Sequence, residues 1–80
     1  MVIEVRAFGI VKELFGNSRV EVDMPEGATA GELKMLLGKK YPGLTKLSSF
    51  AIAVNSEYAN ESLQINSGDE VAIIPPVSGG

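Results

Sequence analysis

One amphipathic segment, residues 30–41, constrains this chain more than any other feature, because it is the sole long helical pattern among runs that alternate apolar and polar. Thr29 and Glu32 stand at capping-box spacing, so hydroxyl and carboxylate answer the first unpaired N–H groups of a helix. Leu33, Leu36, Leu37 and Tyr41 then follow as a single apolar stripe. Lys39 and Lys40 fall in the last turn, where cations meet the negative end of the helix dipole, and Pro42-Gly43 stops it. One stripe covers one face of one sheet, so the expected architecture has two layers around one core.

The flanking runs supply that sheet. In 2–8, Ile3, Val5 and Ala7 share one parity while Glu4 and Arg6 share the other, the pattern of a strand with one buried face. Phe8 falls on the polar parity, so it either tucks under the following turn or belongs to an interface. Residues 10–15 read as one or two helical turns ended by Gly16. A second strand covers 19–24, with Val20, Val22 and Met24 inward, and it pairs antiparallel with the first. Leu44 and Leu47 suggest a short, poorly ordered turn that plugs the core. The third strand, 50–54, puts Phe50, Ile52 and Val54 on one face and the small Ala51 and Ala53 on the other. Asn55-Ser56 turns into a short return strand at 57–59, Leu63 and Ile65 add core contacts, and residues 66–69 form a dense turn. The last strand, 70–74, sends Val71 and Ile73 inward and leaves an apolar Ile74 on the other face, which something must cover.

The order β, β, α, β, short β, β therefore predicts an α+β chain of the β-grasp, or ubiquitin-like, class. Its mixed sheet has four to five strands, the first and last lie parallel at the centre, and one main helix packs on one face. Eighty residues, 45 % of them hydrophobic and 21 % charged, fit a single domain spanning 1–80.

Composition narrows the chemistry. Cysteine and histidine are both absent. That removes disulfides, Ser-His-Asp and Cys-His nucleophiles, imidazole bases and zinc held by N or S, and no metal site is expected. Asp69-Glu70 lacks the clustered oxygen ligands that calcium needs. A net charge of −3 without basic clusters argues against nucleic acid and anionic membrane as partners. The first residues lack the pattern of a signal peptide, and no apolar run approaches the ~20 residues of a membrane span. A cytoplasmic location is expected.

What remains is the tail, Pro75, Pro76, Val77, Ser78, Gly79 and Gly80. Two prolines cannot continue a sheet, and two glycines have no side chain to pack. The expected use is a thin flexible arm, roughly 20 Å when extended, that carries a terminal carboxylate into a partner's active site.

The run from Asp69 through Ile74 to Pro75-Pro76-Val77-Ser78-Gly79-Gly80 resembles the C-terminus of the small, sulfur-carrying subunit family of molybdopterin synthase. Val54-Asn55-Ser56-Glu57-Tyr58 resembles that family's Val-Asn-Gly-Glu-Tyr hairpin, Pro25-Glu26-Gly27-Ala28-Thr29 its turn before the helix, and Lys12-Glu13-Leu14 its Arg-Glu-Leu. Two departures are a serine at 56 in place of the turn glycine and a lysine at 12 in place of arginine. The resemblance implies a non-catalytic donor subunit with no bound cofactor. An E1-like partner uses ATP to form a transient AMP adduct on the Gly80 carboxylate, which becomes a thiocarboxylate. The tail then delivers sulfur to cyclic pyranopterin monophosphate within a heterotetramer built on the large subunit. It also implies that Phe8, Tyr58 and Ile74 face those partners. Alternatives are a thiamin-type sulfur carrier, a ubiquitin-like modifier conjugated through Gly80, and an interaction module whose Gly-Gly end is incidental.

Overall fold

Alternation along the first run produces strand β1 (Val2–Ala7), whose residues switch strictly between exposed and buried, with Ile3, Val5 and Ala7 inside. This computed structural model describes residues 1–46 and 50–75. The expected core contact of Leu47 and the tail residues Pro76 to Gly80 lie outside the described residues. Helix α1 (Gly9–Phe15) follows at once and buries Val11 and Phe15, and Gly16 ends it in the left-handed region at φ 75°, as a glycine C-cap should. Strand β2 (Arg19–Asp23) returns antiparallel to β1 with Val5 opposite Val20.

Helix α2 (Ala30–Lys40) carries the expected capping box. Every N–H of its first turn has a partner. Ala30 N–H donates to the Leu63 carbonyl at 2.8 Å and Gly31 N–H to the Glu61 carbonyl at 3.0 Å. Glu32 N–H reaches Thr29 Oγ1 at 3.2 Å, and Leu33 N–H reaches the Thr29 carbonyl at 3.0 Å. A buried helix start left unpaired is costly, so the 61–63 segment belongs to the helix as much as its own cap does. This corrects one expectation: the Leu63 side chain is 41 % exposed, and what that residue supplies inward is its carbonyl, while Ile65 is fully buried.

Three further expectations change. The buried face of α2 consists of Ala30, Leu33 and Leu37, and Leu36 is partly exposed. Tyr41 is the C-cap residue rather than part of the helix, and its ring packs against Phe15 with centroids 4.4 Å apart. The segment after Pro42 is a 3-10 helix (Pro42–Lys46) that buries Leu44 completely, and not a poorly ordered turn.

Strands β3 (Ala51–Val54), β4 (Glu57–Tyr58) and β5 (Val71–Ile74) complete a five-stranded sheet of order β2-β1-β5-β3-β4. β5 runs parallel to β1 and antiparallel to β3, so the last strand occupies the centre as expected. Burying side chains such as Leu33, Leu37, Ile73 and Val5, each worth about 1.5–3 kcal/mol, drives the helix onto one face of this sheet. The opposite face carries no layer of the chain's own among the described residues. No described helix is long and apolar enough to cross a membrane.

Candidate functional site on the uncovered sheet face

Register dictates what the uncovered face presents. Arg6 stands opposite Ala72 in the parallel β1–β5 ladder. Ala72 stands opposite Ala53, and Ala53 opposite Tyr58. One row across four strands therefore reads arginine, alanine, alanine, tyrosine. The next row toward the end of β5 holds Ile74 opposite Ala51, with Phe8 just beyond the last β1 residue. Small alanines make a low, half-buried floor, and larger side chains rise around it. The result is a shallow concavity of about 320 Å³ lined by Phe8, Tyr58, Ile74, Arg6, Ala53, Ala72, Ser56, Glu70 and Val71.

Phe8 and Ile74, singled out by parity, thus meet Tyr58, which the resemblance added, at one place. Tyr58 is 73 % exposed and Phe8 49 % exposed, whereas Ile74 is half-buried. Scattered surface hydrophobes are ordinary; a group sharing one concavity is the informative case. Phe8 does not tuck beneath the following turn. It occupies the N-cap position of α1 with extended backbone and no side-chain capping bond, and its ring stays at the surface. Periodicity did not single out the alanine floor or Arg6 as site residues, although the alternation of Ala51 and Ala53 with the core residues of β3 was the signal that placed them on this side.

Two local features fix the geometry. Asn55 and Ser56 both adopt positive φ, 52° and 71°, the conformation that a tight two-residue hairpin requires and that glycine adopts most readily at the second position. This turn presents Tyr58 from β4. At the other edge Gly9 has φ 54°, and a Cβ built there would lie 3.5 Å from Pro75 Cγ. The chain after β5 therefore leaves the sheet beside the start of α1, at the rim shared by Phe8 and Ile74.

Chemically this face offers apolar contact around a floor of small side chains. Among the described residues no group of three or more His, Cys, Asp or Glu could hold a metal ion. The ion pair between Arg19 and Glu4, at 3.6 Å, is exposed on both sides and adds little. Pro75 is the one expected tail residue whose position is described; Pro76, Val77, Ser78, Gly79 and Gly80 lie outside the described residues.

The chain is similar to known proteins over nearly its whole length. The pattern of the ThiS family matches residues 5–80. The molybdopterin synthase sulfur carrier subunit of Dictyostelium discoideum is 40 % identical over 96 % of this chain and 94 % of its own length. Among solved structures, SAMP1 from Haloferax volcanii superimposes with a TM-score of 0.83 at 29 % identity, covering 100 % of both chains. A chain in the complex of subunits 1 and 2 of the molybdopterin-converting factor from Helicobacter pylori superimposes with a TM-score of 0.70 at 30 % identity, again over 100 % of both chains. By its near full-length match in pattern, sequence and fold, the chain belongs to the ThiS family, among relatives that bear the name molybdopterin synthase sulfur carrier subunit.

Proposed function

We propose that this chain is the sulfur-carrying subunit of a molybdopterin synthase and that its reactive group is the Gly80 carboxyl. The observation that carries the proposal is the joint position of Phe8, Tyr58 and Ile74 in one concavity, with Pro75 leaving the sheet at its rim. Docking of this face on a partner aims whatever follows Pro75 at that partner. The chain contains no cysteine or histidine, and in this reading the terminal carboxyl is the group that takes part in covalent transfer.

In this reading an E1-like enzyme binds the face first. The Gly80 carboxylate attacks the α-phosphorus of ATP and displaces pyrophosphate, giving a mixed anhydride. A sulfur nucleophile displaces AMP and leaves a thiocarboxylate. The loaded arm next enters the large subunit, where its sulfur bonds to a carbon of cyclic pyranopterin monophosphate as a substrate oxygen departs, and water then cleaves the resulting thioester and restores the Gly80 carboxylate. A dithiolene needs two sulfurs, which suits an assembly of two carriers on a large-subunit dimer, acting in the cytoplasm where ATP is supplied. Proline stiffens the base of the arm and lowers its ordering cost, while Gly79 and Gly80 let the backbone pass a narrow channel.

Intact mass of the protein from its native host tests the proposal. One oxygen replaced by sulfur at Gly80 is the expected result, and Gly80→Ala is expected to suppress it strongly while the melting temperature stays constant. A large fall in stability in that variant would return the tail to a structural role. The similarity to SAMP1, a small archaeal modifier protein, favours one second reading, conjugation of Gly80 to lysines of other proteins. Ladders of higher-mass conjugates are its signature. A thiamin-type carrier would make the same thiocarboxylate, and co-purification of a synthase large subunit separates it from the main proposal.

A further inference from the structure

Charges on the uncovered face are banded by sign in a way that does not help the fold. In the β1–β2 ladder Arg6 stands directly opposite Arg19, and two residues along Glu4 stands directly opposite Glu21. Like charges facing each other across an antiparallel pair are destabilising. Exchanging the residues at 19 and 21 would have made both pairs attractive. Among the described residues Arg19 Nη1 pairs with the diagonal Glu4 alone, at 3.6 Å with both side chains exposed, which is a weak contact. Among the described residues no carboxylate comes within ion-pair distance of Arg6 or Lys12. Lys12, from α1, lines one hollow of about 410 Å³ together with Arg6, Arg19, Phe8 and Gly9. Three separate elements, β1, α1 and β2, therefore bring three cations together in a chain of net charge −3, beside the point where Pro75 passes Gly9. Arg6 also lines the apolar concavity, so the two surfaces are continuous.

We propose that Arg6, Lys12 and Arg19 form a cationic docking band that receives surface carboxylates of the partner accepting the tail. The band fixes how the domain is rotated on that partner. This rests on the reading that the Phe8, Tyr58 and Ile74 face is the docking face. Continuity with that face and charge complementarity choose the occupant. An extended polyanion lying across the cationic band would meet the carboxylates of Glu4 and Glu21 immediately beyond it, whereas a folded protein surface can present acidic groups to one band and leave the other free. Apolar contact supplies most of the affinity, and the charged band supplies register and encounter rate, which is the usual division of roles.

The test titrates the full chain against the purified synthase large subunit at low and at high salt, comparing wild type with Arg6→Gln/Arg19→Gln. The expected result is about a tenfold loss of affinity at low salt and a flatter salt dependence, as removal of rim charges produces. The melting temperature should hold or rise, because a repulsive cross-strand pair has been removed. Wild-type affinity with an unchanged salt slope overturns the proposal, and so does a fall in melting temperature that parallels the loss of binding. Tyr58→Glu serves as the companion. If it binds like wild type, the docking reading itself fails and the proposal with it. If it abolishes binding while the arginine variant does not, the charged band alone is wrong. Binding of ATP or inorganic phosphate to the free chain, lost in the arginine variant, would overturn the assignment to a protein surface.

Discussion

Asn55 and Asp69, 14 residues apart in sequence, are joined by a hydrogen bond of 3.1 Å from Asn55 Nδ2 to Asp69 Oδ1. The same asparagine accepts from the Glu70 N–H through Oδ1 at 3.0 Å, and the second carboxylate oxygen of Asp69 accepts from the Asn66 N–H at 2.8 Å. One side chain thus ties the turn between β3 and β4 to the turn that launches β5. Replacing it removes two bonds and puts a less tolerant residue at φ 52°. Asn55→Ala is expected to cost about 2 kcal/mol and Asp69→Ala about 1 kcal/mol. Because both act on one network, the double variant should cost less than the sum, as a double-mutant cycle by chemical denaturation will read.

Ser56→Gly should stabilise the protein by about 1 kcal/mol. Ser56 holds φ 71°, where a Cβ is unfavourable and glycine is not. The gain should appear as a higher denaturation midpoint with an unchanged slope. A loss of stability would mean that the serine hydroxyl contributes more than its backbone costs.

At Gly31 the expected sign runs against helix propensity. Alanine within an exposed helix gains about 1 kcal/mol over glycine. Here a Cβ would lie 3.0 Å from Glu61 Cβ and 3.1 Å from the Glu61 carbonyl oxygen, the atom that accepts the Gly31 N–H. Backbone cannot yield as a flexible side chain can. Gly31→Ala should therefore lower stability by about 1 kcal/mol, as overpacking does. Amide exchange should show faster opening at Ala30 and Gly31, because the 61–63 segment is pushed from the start of α2.

Phe8→Ser separates folding from docking. Phe8 sits at the N-cap of α1 without a capping bond, a position where serine is among the preferred residues. Thermal melting should be unchanged or slightly raised. Affinity for the synthase large subunit should fall by about tenfold or more, equivalent to losing about 1.4 kcal/mol of buried aromatic contact. Parallel losses in both measurements would make Phe8 a structural residue.

Much of the fold is legible because strand periodicity is strict. The alternation of Ile3, Val5 and Ala7 with Glu4 and Arg6 leaves one orientation for β1, and a one-residue slip would bury two charges. Helical faces are less sharply written. At about 100° per residue, Leu36 lies roughly 90° from the centre of the Ala30, Leu33 and Leu37 face, so a stripe drawn through leucines alone points partly at solvent. Leu63 misleads for another reason: hydrophobicity reports on side chains, whereas its inward contribution is a carbonyl. The candidate site was legible as the wrong parity of Phe8 and Ile74. Its alanine floor and the opposition of Arg6 to Arg19 depend on register across strands distant in sequence, which no local pattern contains.

Placing β5 between β1 and β3 has a mechanical consequence. A partner that pulls on the chain beyond Pro75 pulls along the axis of a central strand, held by parallel pairing on one side and antiparallel pairing on the other. Such a strand cannot peel away one residue at a time. Its ladders must shear together, which approaches the cost of opening the whole domain. The end of β5 is therefore held against fraying under tension from both sides. Pulling at Pro75 thus loads both neighbouring strands at once and not a single strand end.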